Sequence, residues 1–377
     1  MKLMHLSDLH LGKRLNEFSL HEDQAYILHQ IIQIARDERP DGILIAGDLY
    51  DKPVPPAEAV GLLDRFLSDL AATGAQVFVI SGNHDSAERL SFGSGLMQRS
   101  GVHIAPVYHG EVHPFTLTDA YGPVDVYLLP FIKPVHVRAC FPDEEIASYT
   151  DAMSCAIRHM NVDPGRRSVL VTHQFVTGGV RCESEEVNVG GADNVNAEVF
   201  APFDYVALGH LHGAQRIGAR IRYCGTPLKY SFSEARQQKS VTMAELGRKG
   251  DLTLRTLPLV PLREMREIRG DYMTLTSRAF YQQQDTDAYL HLTLTDDEDV
   301  PDAAARLRVI YPNLMKIDYD NARTRATADF SVGAPEDRRS PAELFEDFYA
   351  LQNGQPMSDV QRAYVLRLLE NLMEEER

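Results

Sequence analysis

The chain has 377 residues, 44% of them hydrophobic and 24% charged, an ordinary globular composition that excludes collagenous or low-complexity architecture. Its 38 Lys and Arg against 54 Asp and Glu leave a net charge of −16, which argues against gripping nucleic acid by bulk electrostatics. With no apolar run near the ~18 residues of a membrane span, no signal-peptide pattern and four cysteines lacking CxxC spacing, the expectation is a soluble cytoplasmic protein.

From the N-terminus, strand-like apolar runs fall at Leu3–Leu6, Gly42–Ala46, Gln76–Ile80, Val124–Leu129, Ser168–Val171 and Tyr205–Leu208. Between them, Glu22–Arg36 carries Ile27, Ile31 and Ile34 at helical spacing, and Pro56–Leu70 carries Leu63, Phe66, Leu67 and Leu70. Ile221–Cys224, Ser240–Leu246 and Leu252–Leu257 read as further strands, the last two joined through Gly247 to Gly250 as a hairpin. Such alternation predicts a layered α/β fold. Pro258 to Leu262, followed by Arg263 to Gly270, reads as a linker. After it, a strand at Tyr289–Thr295, a helix at Val300–Ile310 and a strand at Leu314–Tyr319 make a small β-α-β unit. Ser340-Pro341-Ala342-Glu343 is a capping box with proline at the first helical position; Leu344, Phe345, Phe348, Tyr349 and Leu351 follow. Asn353-Gly354 ends that helix, and Ser358 opens another carrying Val365, Leu368, Leu369 and Leu372.

Histidine is lopsided: 13 of 14 lie at or before His212. The chemistry-bearing residues follow apolar runs. Asp8-Leu9-His10 comes after the first, Gly47-Asp48-Leu49-Tyr50-Asp51 after the second and Gly82-Asn83-His84-Asp85 after the third. His173 follows the run ending at Thr172, and Gly209-His210-Leu211-His212 follows Leu208. In open α/β sheets, ligands bind outside the carboxyl ends of the strands, so five such ends on one edge would gather these side chains. Asp, Asn and His without thiolate suit Mn²⁺, Fe²⁺ or Zn²⁺ better than Mg²⁺ or Ca²⁺. The glycines before Asp48, Asn83 and His210 are expected to permit sharp turns. Alone, D-x-H is more often chance or a structural turn, G-N-H-D reads also as a turn, and G-H-x-H divides evenly between ligand and satisfied polar core. Together, each after a hydrophobic run, they form one donor set. His5, inside the first strand, is expected to be core.

In this order, D-x-H, G-D-x-x-D, G-N-H-D, a later single His and G-H-x-H resemble the signature of the calcineurin-like metallophosphoesterases. Within that superfamily the chain is similar to the nuclease subunits of bacterial SbcC–SbcD DNA repair complexes. The likeness runs through His5 to Gly12, Gly82 to Ser86, Val189-Gly190-Gly191, Ala207 to His212, Arg222 to Pro227 and Ser231-Phe232. It covers residues 1–260 well and the remainder more loosely.

The resemblance implies a β-sandwich flanked by helices, with a small α+β capping domain and C-terminal helices. Its parts would be a nuclease domain at 1–262, a capping domain at 268–335, and helices at 340–377 that dock on the SbcC ATPase. It implies two divalent cations, most readily Mn²⁺, one held by Asp8, His10 and His212, the other by Asn83, His173 and His210, with Asp48 between them. His84 would serve the leaving oxygen, and the Asp51 carboxylate would orient its ring. Lys13, Arg14 and Arg89 are candidates for DNA-backbone contact, their plainer reading being solvated surface. The implied activity is 3′–5′ exonuclease on duplex ends and endonuclease on single strands or hairpins, in DNA repair and recombination. A homodimer is implied as well, with the Leu63, Phe66, Leu67 and Leu70 stripe as candidate interface. The rival readings are a small-molecule or cyclic-nucleotide phosphodiesterase of the same superfamily, and a scaffold that has lost its metals. A scaffold should lack ligands, and this sequence supplies all of them.

Overall fold

Consecutive hydrophobic positions, as in Gly42–Ala46 and Gln76–Ile80, are the pattern of strands buried on both faces. The computed structural model describes residues 1–185, 193–298, 300–321, 324, 345–346, 348–350, 356–365 and 368. Its strands begin with β1 (Lys2–Leu6), β2 (Arg14–Leu15), β3 (Phe18–Ser19), β4 (Gly42–Ala46), β5 (Gln76–Ile80) and β6 (Val102–Ala105). They continue with β7 (Phe115–Asp119), β8 (Gly122–Leu129), β9 (Arg167–His173), β10 (Tyr205–Gly209), β11 (Gln215–Ile217) and β12 (Ile221–Tyr223). Last come β13 (Ser240–Leu246), β14 (Leu252–Pro258), β15 (Met265–Gly270), β16 (Tyr289–Leu294) and β17 (Leu314–Tyr319). The helices are α1 (His21–Glu38), α2 (Ala57–Ala71), α3 (Ala87–Leu90), α4 (Ser94–Met97), α5 (Pro134–Cys140), α6 (Tyr149–His159), α7 (Tyr272–Thr276), α8 (Arg278–Tyr281) and α9 (Ala303–Arg308).

Two six-stranded sheets form, in the orders β14-β13-β1-β4-β5-β6 and β11-β12-β10-β9-β8-β7. Leu3, Leu44, Phe78 and Ile80 of the first meet Val126, Leu128, Val169, Val171 and Ala207 of the second. The alternate residues Ile43, Ile45, Val77 and Val79 face outward onto Ile27 and Ile31 of α1 and Leu63 and Phe66 of α2. Likewise Tyr127, Leu170 and Leu208 pack on Ala152, Met153 and Ala156 of α6. Period-two alternation thus makes four layers, helix, sheet, sheet, helix: the layered α/β fold expected from the sequence, in the helix-flanked sandwich that the family resemblance implied. Strands β1, β4, β5 and β6 are mutually parallel, as are β8, β9, β10 and β12. The motif-bearing ends therefore share one edge in each sheet. His5 lies in the core, Nδ1 2.8 Å from the Tyr205 hydroxyl and Nε2 3.2 Å from the Leu208 carbonyl.

At the other edge, Glu38 ties the end of α1 to β1 and to the end strand β14 of the first sheet. It takes Lys2 Nζ at 2.6 Å and Arg255 Nη1 at 3.0 Å. Hydrogen bonds from Arg255, then Lys2, bring its carboxyl from 4.5 down to about 2. A depressed acid stabilises above its unfolded pKa, and the contribution is lost as pH falls through the folded value. Glu38→Gln should accordingly flatten the fall in stability between pH 4.5 and about 2, read by urea unfolding across that window.

Several expectations are corrected. Residues 265–270 are not linker: Met265–Gly270 pairs in parallel with Tyr289–Leu294, so the small unit is a three-stranded sheet, β15-β16-β17. Its helix is shorter than expected, Ala303–Arg308. This sheet is tied to α1, the Tyr289 hydroxyl and Arg263 Nη1 donating to Asp23 Oδ2 at 2.6 and 2.9 Å, and Lys229 Nζ lies 2.5 Å from Glu264 Oε1. The Leu63, Phe66, Leu67 and Leu70 stripe is buried in the protein's own core and offers no face to a second copy.

The chain divides into two compact units, residues 1–295 with 300–318, and residues 296–299 with 319–377. In the second, Ser358 caps a helical segment as expected, its N and Oγ at 2.9 and 2.8 Å from Gln361 Oε1. Gln361 Nε2 donates to the Tyr349 hydroxyl at 2.9 Å, and Arg362 pairs with Glu346, joining the two helical stretches. The Ser340 capping box and Val189-Gly190-Gly191 lie outside the described residues. Among those described, no helix is long and apolar enough to cross a membrane.

Candidate metal centre

The loop after β1 is laced to the loop after β4. Asp8 N donates to Gly47 O at 3.0 Å, His10 N to Asp48 O at 2.9 Å and Leu11 N to Leu49 O at 2.9 Å. From α1, Gln24 Nε2 donates to the His10 carbonyl at 2.8 Å, and the Tyr230 hydroxyl reaches the Leu9 carbonyl at 2.5 Å. This weave carries backbone strain: Asp8, His10, Asp48 and His210 all have positive φ, +55°, +45°, +50° and +100°. Non-glycine residues held this way cost about 1–3 kcal/mol each and persist only where the surroundings over-determine them.

The flanking glycines act differently from the expectation. Only Gly47 uses left-handed backbone, with φ +86°. Gly82 and Gly209 are needed for room. A Cβ on Gly82 would lie 2.1 Å from Asp48 Oδ1, and one on Gly209 1.9 Å from the Ala46 carbonyl oxygen. The two sheets meet backbone to backbone here, so the side chains converge.

His10 Nε2 and His212 Nε2 face each other at 3.2 Å. Asn83 Oδ1 lies 2.9 Å from both His173 Nε2 and His210 Nδ1. Between these groups sits Asp48, its Oδ2 3.7 Å from His10 Nε2 and 3.3 Å from His173 Nε2. Asp8 Oδ1 accepts from His210 N at 2.9 Å, while Asp8 Oδ2 and His10 Nδ1 are buried without a hydrogen-bond partner. The seven residues named from the sequence are thus brought together.

Burial dominates their electrostatics. It carries the His10 imidazole well below its ordinary range and His210 down to about 3, so both are neutral lone-pair donors. His173 is buried too, but Asp48 and Asp8 outweigh the burial and raise it to about 9. Asp48 stays low against burial because His173 faces it; Asp8 is raised by burial first. Unpaired buried carboxylate oxygen, neutral imidazoles and an amide oxygen around one aspartate are the chemistry of a divalent-cation site. Asp8, Asp48 and His173, and also His10, Asp48 and His84, each bring one ligand atom within 4.8 Å of the others.

His84 is half-buried at the rim, edge-on to His10 with ring centroids 4.8 Å apart. Its N donates to Asp48 Oδ1 at 2.9 Å. The Asp51 carboxylate does not orient the ring: Lys13 Nζ holds it at 2.6 Å. Instead the Asp51 backbone carbonyl accepts from His84 Nδ1 at 3.0 Å. Lys13 is therefore committed to the site, whereas Arg14 and Arg89 are exposed.

Sequence reasoning missed the supports. Asp85, quoted in a motif but given no role, accepts from Leu49 N, Tyr50 N and Gly82 N at 3.1, 2.9 and 2.9 Å, locking two loops together. Burial and the Asp48 charge raise it to about 6. Ser184, Glu185, Glu234 and Lys239 surround His212. Polar residues beside F-S-E and within E-S-E-E were their only local signal.

Residues 1–214 match the family described as calcineurin-like phosphoesterase, and residues 261–353 the family described as type 5 capsule protein repressor C-terminal domain. The SbcD component of the SbcCD nuclease of Staphylococcus epidermidis is 33% identical over 384 residues, covering 100% of both chains. That of Staphylococcus saprophyticus subsp. saprophyticus is 33% identical over 385 residues, covering 100% of this chain and 99% of its own. A crystal structure described as a dimetal phosphatase from Danio rerio is 12% identical, covers 69% of this chain and 96% of its own, and has a TM-score of 0.41.

Proposed function

Because the chain belongs to the calcineurin-like phosphoesterases, with full-length likeness to the SbcD components of SbcCD nucleases, we propose that it is a two-metal DNA nuclease working with an SbcC-type ATPase. The observation that carries the metal reading is the gathering of seven donor residues in one cluster, with His10 and His173 facing Asp48 Oδ2 and Asp8 Oδ2 buried without a partner. Asp8, His10 and His212 would hold one cation, Asn83, His173 and His210 the other, with Asp48 shared. Histidine-rich donors favour Mn²⁺ over Mg²⁺. Bound there, the cations supply positive charge to phosphate oxygens and acidify the attacking water.

The chain's own residues do the rest. The Asp51 carbonyl accepts Nδ1–H of His84 in either protonation state, so Nε2 carries the proton given to the leaving oxygen. Asp48 anchors the same residue through its backbone N–H, fixing the ring relative to the donor cluster. A net charge of −16 is compatible with DNA, since two cations bring about four positive charges to the scissile phosphate. With Lys13 paired to Asp51, the exposed Arg14 and Arg89 are the backbone-contact candidates that stay open, and the reaction would be cytoplasmic.

The test is cleavage of end-labelled duplex DNA. Full-length protein with Mn²⁺ should degrade it, EDTA should abolish the reaction, and added Mn²⁺ should restore it. Hydrolysis of a small or cyclic phosphodiester with DNA left intact, even beside the ATPase and ATP, would overturn the nuclease reading in favour of the rival phosphodiesterase.

Two partner surfaces belong to this proposal. The C-terminal helices, apolar and aromatic on one face in sequence, would seat on the ATPase. Truncation after Arg339 should leave Mn²⁺-dependent phosphodiesterase activity and abolish co-purification with the ATPase; retained co-purification would sink that assignment. A second copy of the chain is the other partner. With the α2 stripe in the core, Phe92 and Leu96, 87% and 72% exposed, are among the exposed apolar side chains that could meet it, and sedimentation velocity reads the outcome.

A further inference from the structure

His212 is held unlike the other clustered histidines. His173 turns its outer nitrogen, Nδ1, to a backbone carbonyl, that of Ala46 at 2.8 Å. The outer nitrogen of His212 meets side chains instead. Its Nδ1 lies 2.7 Å from Ser184 Oγ, and that hydroxyl lies 2.7 Å from Glu234 Oε1. The direct gap from His212 Nδ1 to Glu234 Oε1 is 3.5 Å, so the serine is the bridge.

Glu234 is fully buried and surrounded by donors. Its Oε1 takes Ser184 Oγ, Tyr230 N at 3.3 Å and Ser231 Oγ at 3.1 Å; its Oε2 takes Lys239 Nζ at 2.6 Å, while Thr226 Oγ1 gives its proton to the Leu228 carbonyl at 2.6 Å. Lys239, itself buried, supplies the countercharge, and an ionised carboxylate can only accept. The single hydroxyl proton of Ser184 must therefore point at Glu234. Its oxygen then has only lone pairs to offer His212, and the imidazole hydrogen must sit on Nδ1. Nε2, facing His10 Nε2 at 3.2 Å inside the donor cluster, keeps its lone pair. Lys239 Nζ also donates to the His212 carbonyl at 2.9 Å, and Glu185 Oε1 accepts from His212 N at 2.5 Å, so the main chain cannot swing while the ring is set.

We infer that Glu234 is a positioning residue for His212: acting through the Ser184 hydroxyl, it selects the tautomer whose Nε2 lone pair faces the cation site. The inference deepens the two-cation reading and rests on it for its consequence. A buried carboxylate that merely balanced Lys239 would fix no tautomer, and this is where the two roles part.

The experiment compares full-length wild type, Ser184→Ala and Ser184→Thr. Ser184→Ala leaves Glu234 its donors Lys239, Tyr230 N and Ser231 Oγ, so the melting temperature should stay within a degree or two. Imidazole nitrogen NMR without metal should show His212 protonated at Nδ1 in wild type and Ser184→Thr, and a mixture of both tautomers in Ser184→Ala. In calorimetric Mn²⁺ titration, one of two binding steps should weaken about 10–100-fold in Ser184→Ala, the usual effect of losing an outer partner of a ligand histidine, and recover in Ser184→Thr. An unchanged tautomer and isotherm in Ser184→Ala would overturn the inference. A wild type that takes up fewer than two cations would overturn the two-cation reading instead, while the metal-free NMR comparison still decides the role of Glu234.

Discussion

His84→Ala should bind two Mn²⁺ ions as tightly as wild type, within about twofold, and cleave duplex DNA about 10²–10⁴ times more slowly, the usual worth of a general acid. Both halves follow from position. The histidine reaches Asp48 through its backbone N–H, which alanine keeps, so the shared carboxylate stays where it is. What disappears is the half-buried imidazole at the rim, whose Nδ1 is occupied by the Asp51 carbonyl and whose Nε2 is free for the leaving oxygen. Calorimetry with Mn²⁺ and initial rates on an end-labelled duplex separate the two effects. A loss of cation binding equal to the loss of rate would make His84 a ligand rather than the proton donor. A rate within tenfold of wild type would hand proton delivery to another group.

Gly209→Ala is expected to be the most damaging of the glycine substitutions. Its methyl group would fall 1.9 Å from the Ala46 carbonyl oxygen, and neither atom can yield. Ala46 ends β4, Gly209 ends β10, and both are parallel-paired in buried sheets. Overpacking in a filled interior costs about 1–3 kcal/mol and occasionally more, and backbone against backbone belongs at the upper end. The sheets would have to part at the edge that carries the donors, so Mn²⁺ binding should fail even where the fold survives. Gly61→Ala is the comparison. It lies inside α2 with Arg65 Nη1 at 3.5 Å as the nearest atom to an added Cβ, and should stabilise by about 0.5–1 kcal/mol. Urea midpoints and Mn²⁺ isotherms of both variants check the pair of expectations; tight Mn²⁺ binding by Gly209→Ala would show that the sheets accommodate more than their contact suggests.

What was legible in the sequence is what local pattern encodes. Strands β4, β5 and β13 fall on the predicted residues: Ile43–Ala46 and Val77–Ile80 are unbroken apolar runs, and β13 carries Val241 and Met243 into a hairpin turn at Gly247 to Gly250. The same holds for the side chains whose chemistry is visible one letter at a time, Asp8 to His10 and His210 to His212 among them. Strand Met265–Gly270 was illegible because Arg266, Glu267 and Arg269 are exposed and only Met265 is fully buried. Edge strand Phe115–Asp119 hides in the same way behind two threonines. The Gly209 contact with Ala46 joins positions more than 100 residues apart across two sheets, which no local window holds. The orienting role of Asp51 is carried by a carbonyl, an atom every residue has, so its letter pointed to the carboxylate instead. Ser184 and Glu234 needed the tertiary fold to meet, being 50 residues apart.

Strand β1, which delivers Asp8 and His10, lies between β4 and β13. Its second neighbour, Ser240–Leu246, pairs with it antiparallel from the far side of the whole phosphoesterase segment. At about 5–20 residues per second, the ribosome finishes β1 some ten seconds or more before that neighbour has even been polymerised. During that interval the nascent chain already carries Asp8, His10, Asp48, Asn83 and His84, yet the sheet that aligns them has an open side. The last two histidines, on the loop after β10, arrive only shortly before closure. The donor set is thus complete in sequence before β1 gains its second neighbour, and the sheet that aligns the donors is the last part of the site to close.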